Sequence, residues 1–189
     1  MLFLRSFLSD PRQVGSLAPS LHYLGDAMRG MVEDLSNERL AIAVLGVGTG
    51  AVACSFLGHE LYGFDLSVPL LALAQERLPG ATMQQADVIS EGFTLDGLPK
   101  DKPLALVSCI PVVNLTPGQR AAYEAKVDGF LDDPRVLCFL QYSYLPRAPL
   151  RIPRSSRQQR WVLRNFPPAG VHLWRRRPGG SKAPALRAA

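Results

Sequence analysis

Three glycines at alternate positions, Gly46, Gly48 and Gly50, interrupt an apolar run that starts at Ala41 and resumes at Ala51. A buried strand, a tight turn and a helix start produce this pattern. Glycine lets backbone approach a ligand closely and tolerates positive φ, and a helix start presents free N–H groups. A turn needing glycine for geometry alone is the other reading. Fifteen residues beyond Gly50, Asp65 closes the segment Leu61–Asp65. A carboxylate at a strand end can accept hydrogen bonds from ribose hydroxyls; it can equally cap a helix starting at Val68. Asp87 follows a third short segment, Thr82–Gln85, and Ser108-Cys109-Ile110-Pro111 closes a fourth. The proline stiffens that loop and ends the ladder. The carbonyls before it, that of Ile110 included, are left to accept N–H bonds from an amine.

These residues need elements that bring them to one edge. Strands are expected at Ala41–Leu45, Leu61–Asp65, Thr82–Gln85, Leu104–Cys109, Val136–Tyr142, Arg160–Phe166 and Gly170–Arg175. Helices are expected at Gly50–Leu57, Val68–Arg77 and Pro117–Leu131, and a further one capped by Ser20 with Leu21, Leu24, Met28, Met31 and Val32 on its apolar face. Such alternation implies a mostly parallel sheet with helices on both faces. The last two strands, separated by Pro167-Pro168-Ala169, should form an antiparallel hairpin. This α/β pattern is similar to the seven-stranded, Rossmann-like fold of class I S-adenosylmethionine-dependent methyltransferases.

That resemblance assigns Gly46, Gly48 and Gly50 to the methionine part of S-adenosylmethionine and Asp65, with Leu66, to its ribose. Asp87 would bind the adenine amino group, with Ala86 and Val88 flanking the ring. The glycine motif usually begins with an acid two residues before its first glycine; Val44 stands there. The run from Cys109 to Val112 resembles the Asn-Leu-Pro-Tyr type motif of amino-methyltransferases, with Cys109 in place of asparagine and Val112 in place of the aromatic. The missing aromatic speaks against a flat base as acceptor.

Four segments narrow the resemblance: 11–20 (PRQVGSLAPS), 110–115 (IPVVNL), 139–144 (FLQYSY) and 164–169 (RNFPPA). They look like the corresponding stretches of bacterial phospholipid N-methyltransferases, over nearly all of residues 3–175. The resemblance implies stepwise N-methylation of phosphatidylethanolamine, through its mono- and dimethyl forms, to phosphatidylcholine. S-adenosylmethionine would be the donor and S-adenosylhomocysteine the product, with Ser16, Ser20 and Cys109 joining the cofactor contacts. The partners implied are the phospholipid and an anionic membrane surface, without nucleic acid or metal. An ammonium acceptor must lose a proton before attack; Tyr23, Tyr142, Tyr144 and His22 are the candidates to take it or to steady the head group by cation–π contact. Arg147, Arg151 and Arg154, after the fifth strand, would hold the lipid phosphate.

Composition agrees with a surface-bound protein. The chain of 189 residues carries net +5, but residues 1–133 hold all 16 acids and only 9 bases, whereas residues 134–189 hold 12 bases and no acid. A one-signed third points to an anionic partner, lipid or nucleic acid. No apolar run reaches the ~20 residues of a membrane span, and Met1–Leu8 lacks the marks of a secretory signal. That apolar segment either packs on the domain or dips into a membrane interface. Three widely spaced cysteines, Cys54, Cys109 and Cys138, read as reduced thiols. The expected organisation is N-terminal helices over 1–40, a methyltransferase domain over 41–177 and a flexible tail, in a cytoplasmic protein peripheral to the inner membrane face. An RNA adenine N-methyltransferase and a non-catalytic membrane or cofactor-binding module are the alternatives.

Overall fold

The computed structural model describes residues 21–144, 149–165 and 167–177. Expectations for Met1–Leu8, Ser16, Ser20, Arg147 and the tail lie outside them. Helix α1 (Leu21–Glu33) leads to β1 (Ala41–Leu45), then a short 3-10 helix (Ala53–Phe56), β2 (Glu60–Asp65), α2 (Val68–Arg77) and β3 (Thr82–Gln85). β4 (Leu104–Ser108), α3 (Pro117–Phe130), β5 (Val136–Tyr144), β6 (Ser155–Val162) and β7 (Ala169–Arg176) complete the described elements. The seven strands form one sheet in the order β3-β2-β1-β4-β5-β7-β6. β1 to β5 pair in parallel, and β7 runs antiparallel to both β5 and β6. No described helix is long and apolar enough to cross a membrane.

β1 and β4 are buried along their whole length, as central parallel strands covered on both faces must be. Ile42, Val44, Ala105, Val107 and Leu140 face α1 and α2; Ala41, Ala43, Leu45, Leu106 and Phe139 face α3. A capping box starts α3: Thr116 and Gln119 each bond the other's backbone N–H. Arg29 and Glu33 act electrostatically on His59, beside the start of β2. Further along the sheet, Arg160 of β6 pairs with Asp34, just after α1.

Two expectations are corrected. The helix expected over 50–57 is only the 3-10 turn Ala53–Phe56, and the chain leaves it through Gly58 at φ 103°. The strand expected over 160–166 is Ser155–Val162. As the sheet's edge strand, β6 exposes the six residues between its ends, so apolar alternation does not mark it. It stops where Asn165 turns the chain, its amide donating to the Pro167 carbonyl at 2.6 Å.

Candidate active site at the carboxyl edge of the sheet

The glycine turn follows β1 and needs its glycines. Gly46, Gly48 and Gly50 have φ of 73°, 55° and 79°, and no described non-glycine residue has positive φ. The N–H groups of Gly46 and Val47 both donate to the Phe64 carbonyl, at 2.8 and 2.9 Å, which sews the turn to β2. A Cβ on Gly46 would lie 3.1 Å from Ile110 Cγ1, and one on Gly50 would lie 3.2 Å from Leu78 Cδ1. At Gly48 it would meet nothing within 4 Å. The outer two glycines thus wedge the turn between the loop after β4 and helix α2, while the middle one faces open space.

Asp65 ends β2 beside this turn. Its Oδ2 accepts the Gly48 N–H and its Oδ1 the Ser67 N–H, both at 2.9 Å. The helix-entry role read from the sequence is met, since the Ser67 bond sets the entry to α2. A carboxylate has about four acceptor positions, so a half-buried Asp65 keeps capacity for two hydroxyls. Leu66, the next residue, is 62% exposed. Val44 is buried in the core, and β1 supplies no carboxylate.

The loop after β4 departs from expectation at Ile110. Its carbonyl accepts the Val112 N–H at 2.9 Å and the Gln141 Nε2 amide at 3.2 Å, which engages both lone pairs. The catalytic role assigned to Ile110 is therefore corrected. Among the described residues no hydrogen bond reaches the carbonyl of Cys109, its neighbour, whose carbon would lie 3.6 Å from a Cβ on Gly46. Burial next to Asp65 pushes the Cys109 thiol up to about 12, so it stays protonated. Gln141, which pins the loop, was missed; one amide within the apolar run of β5 was its only signal.

Tyr142 and Tyr144 extend the wall. Their rings meet edge to face with centroids 5.4 Å apart, and both pack with Cys109 against the core on the α1 face. Burial raises both phenols above their ordinary range, Tyr142 strongly. Tyr142 as a proton-accepting base is thereby corrected: its hydroxyl keeps its proton. His22 and Tyr23 stack at 3.9 Å, exposed at the start of α1. No hydrogen bond among the described residues joins them to this wall.

Asp87 is exposed after β3. Its Oδ1 accepts the Ile89 N–H at 3.0 Å, and with Ala86 it lines an open cavity of about 450 Å³ that includes Phe64, Ser90, Phe93 and Leu98. The cavity lies to the side of the glycine turn and shares neither Asp65 nor Cys109 with it. Val88 is a core residue, 6% exposed, so the expectation that it flanks a ligand ring is corrected. Lys126 of α3, also missed, reaches the Ser90 and Phe93 carbonyls.

Arg151 and Arg154 do not gather at this edge. The chain after β5 runs back over α3: Arg120 donates to the Pro149 carbonyl, and the Arg151 N–H donates to Glu124. Arg154 ends at the opposite, amino edge, bonded to Asp128 at 2.6 Å and Asp132 at 3.0 Å, with Arg176 paired to Asp132 from the other side. Their assignment to the substrate is corrected, because following a strand in sequence does not keep a residue at that strand's end. Ser143 and His172 were not read as a pair; their side chains meet at 2.9 Å across β5 and β7.

No family model and no curated protein matches the sequence. Several solved structures are similar to it. One is the TehB-like SAM-dependent methyltransferase of Corynebacterium glutamicum, with TM-score 0.56 and 17% identity over 81% of this chain and 88% of that one. Another is magnesium protoporphyrin IX methyltransferase of Synechocystis, solved with bound SAM: TM-score 0.58, 13% identity, 82% and 80% covered. A third is an amino pentose methyltransferase of calicheamicin biosynthesis from Micromonospora echinaspora, also SAM-bound: TM-score 0.55, 19% identity, 90% and 70% covered. With the strand order above, these likenesses establish the class I methyltransferase fold.

Proposed function

We propose that this chain methylates the amine of phosphatidylethanolamine, and of its mono- and dimethyl forms, with S-adenosylmethionine as donor. The observation that carries the reading is the convergence of three parts at one sheet edge. They are the positive-φ glycine turn, the Asp65 carboxylate bonded to it, and the Cys109-Ile110-Pro111 loop packed on Gly46. The open side of Gly48 and the spare acceptor capacity of Asp65 fit this cofactor's backbone-facing and ribose parts, and Asp87 with Ala86 suits its adenine. S-adenosylmethionine supplies, when bound, a methyl group activated on a sulfonium.

The protein's part is alignment and exclusion of water, which proximity effects make worth about 7–11 kcal/mol at best. In the first two transfers the Cys109 carbonyl accepts an N–H of the acceptor amine and aims the nitrogen lone pair, with Gln141 holding the loop through Ile110; in the third, where the free amine has no N–H, the walls of the site alone orient it. The rings of Tyr142 and Tyr144 offer π faces to the cationic head group. Both phenols hold their protons, so the ammonium's proton leaves to water. What supports a lipid amine over a base is Val112: an aliphatic side chain, 5% exposed, stands in the loop after β4 where base-methylating relatives of the motif carry an aromatic.

Methyl-labelled S-adenosylmethionine, incubated with the protein and either phosphatidylethanolamine vesicles or RNA, tests the reading. Label should appear in mono-, di- and trimethylated lipid. Label in RNA, or in neither acceptor, would refute it.

The glycine turn gives a second expectation. Alanine at Gly48 has room but must hold left-handed φ, at roughly 1–2 kcal/mol. It should lower the melting temperature by only a few degrees while weakening S-adenosylmethionine binding in calorimetry. Alanine at Gly46 adds the clash with Ile110 and should cost clearly more stability. Equal melting losses together with unchanged cofactor affinity at Gly48 would move the cofactor elsewhere.

A further inference from the structure

The β6–β7 hairpin stands above the active edge. β4 ends at Ser108, opposite Gln141, but β5 continues for three residues to Tyr144, and β7 and β6 follow it to Ala169 and Val162. At 3.2–3.4 Å per residue this end of the sheet protrudes by about 10 Å. The protrusion carries side chains that water does not favour. Trp161 is 52% exposed and Leu163 72%, the most exposed of the large apolar residues described. Val113, after β4, and Leu66, after β2, are exposed on the same edge.

The charge around them has one sign. Residues 155–177 contain six arginines and no acid. Arg160 is tied to Asp34 of α1, and Arg176 to Asp132. Arg157 and Arg164 are exposed and form no ion pair with a described residue. An indole at a protruding tip, an aliphatic residue beyond it and the unpaired Arg164 next to that suit an anionic bilayer. Tryptophan prefers the headgroup level, leucine the acyl boundary, and arginine anionic phosphates. Single-stranded nucleic acid would use Trp161 by stacking but leaves Leu163 in water.

We propose that the β6–β7 hairpin is a membrane-docking element, with Leu163 entering the acyl boundary, Trp161 at the headgroups and Arg164 on anionic lipid phosphates. The inference rests on the lipid reading of the carboxyl edge, because docking through this hairpin would turn that edge towards the bilayer that holds the acceptor amine.

Trp161 reports directly on this contact. The only other tryptophan, Trp174, is 2% exposed. Vesicles of phosphatidylethanolamine with phosphatidylglycerol, added to the full chain, should blue-shift its emission, and brominated acyl chains should quench it. The Trp161→Phe chain should show neither change. Vesicle sedimentation should weaken about tenfold for Leu163→Ser and about fivefold for Arg164→Ala. Both variants should still methylate short-chain phosphatidylethanolamine dispersed in detergent at the unaltered rate. Unchanged emission with the chain sedimenting on vesicles, no sedimentation at all, or a shift with RNA but not with vesicles overturns the inference. If the unaltered chain fails to methylate the dispersed lipid, it is the proposed activity that falls, a result read separately from docking.

Discussion

Alanine at Asp65 is expected to weaken S-adenosylmethionine binding by a factor of about a hundred or more. Hydrogen bonds to a charged acceptor contribute about 1.5–3 kcal/mol each, and a ribose offers two. The carboxylate also fixes the turn it sits beside, through the Gly48 and Ser67 N–H groups. Removing it loosens the cradle as well as the ligand's own partners. Asparagine should not restore binding: one of its two positions is an NH₂, which cannot accept either N–H. Both N–H groups are only partly buried and can turn to water, so the melting temperature should fall by just a few degrees. Calorimetric titration alongside thermal unfolding separates the two effects. Wild-type affinity in a folded Asp65→Ala protein would reduce this residue to a tie for the turn.

A second large effect is expected in acid and does not depend on the cofactor. His172 is 3% exposed, and its Nδ1 has no partner among the described residues. Burial, with Arg157 nearby, lowers its pKa from 6.5 to about 4. Between those values the unfolded chain binds a proton that the fold refuses, so acid favours unfolding. The stability is whole above pH 6.5 and lost as the pH falls to about 4. The full difference is about 3 kcal/mol. Hydrogen bonds hold the carboxyls of Glu60 and Asp133 below their ordinary range, so their own losses come at lower pH. Denaturant unfolding between pH 6.5 and 4.5 should therefore show a decline that His172→Gln, which can still reach Ser143, flattens. An equal slope in both proteins would count against the assignment.

The parts legible in the sequence are those where one residue type has one physical job. β1 and β4 are continuous apolar runs because both sheet faces are covered. Gly46, Gly48 and Gly50 stand out because the turn needs left-handed backbone at all three. β6 was misplaced because an edge strand has little to bury. Gln141 and His172 could not be assigned partners, since their bonds depend on strand register and on a loop that folds back. Arg154 was misassigned for the same reason: the path after β5 crosses the sheet's depth before β6 begins.

β6 has a consequence of its own. Among the described residues it is the outer strand on its side of the sheet, its outer edge pairs with no described strand, and it carries six exposed side chains in succession. An open strand of this kind is a template for pairing with another molecule. Here a second copy laying its β6 alongside would bring Arg157 of each copy, a cation without an ion pair among the described residues, into the same seam. Like charges directly across a strand pair are unfavourable. Arg157 thus guards the fold against edge-to-edge aggregation.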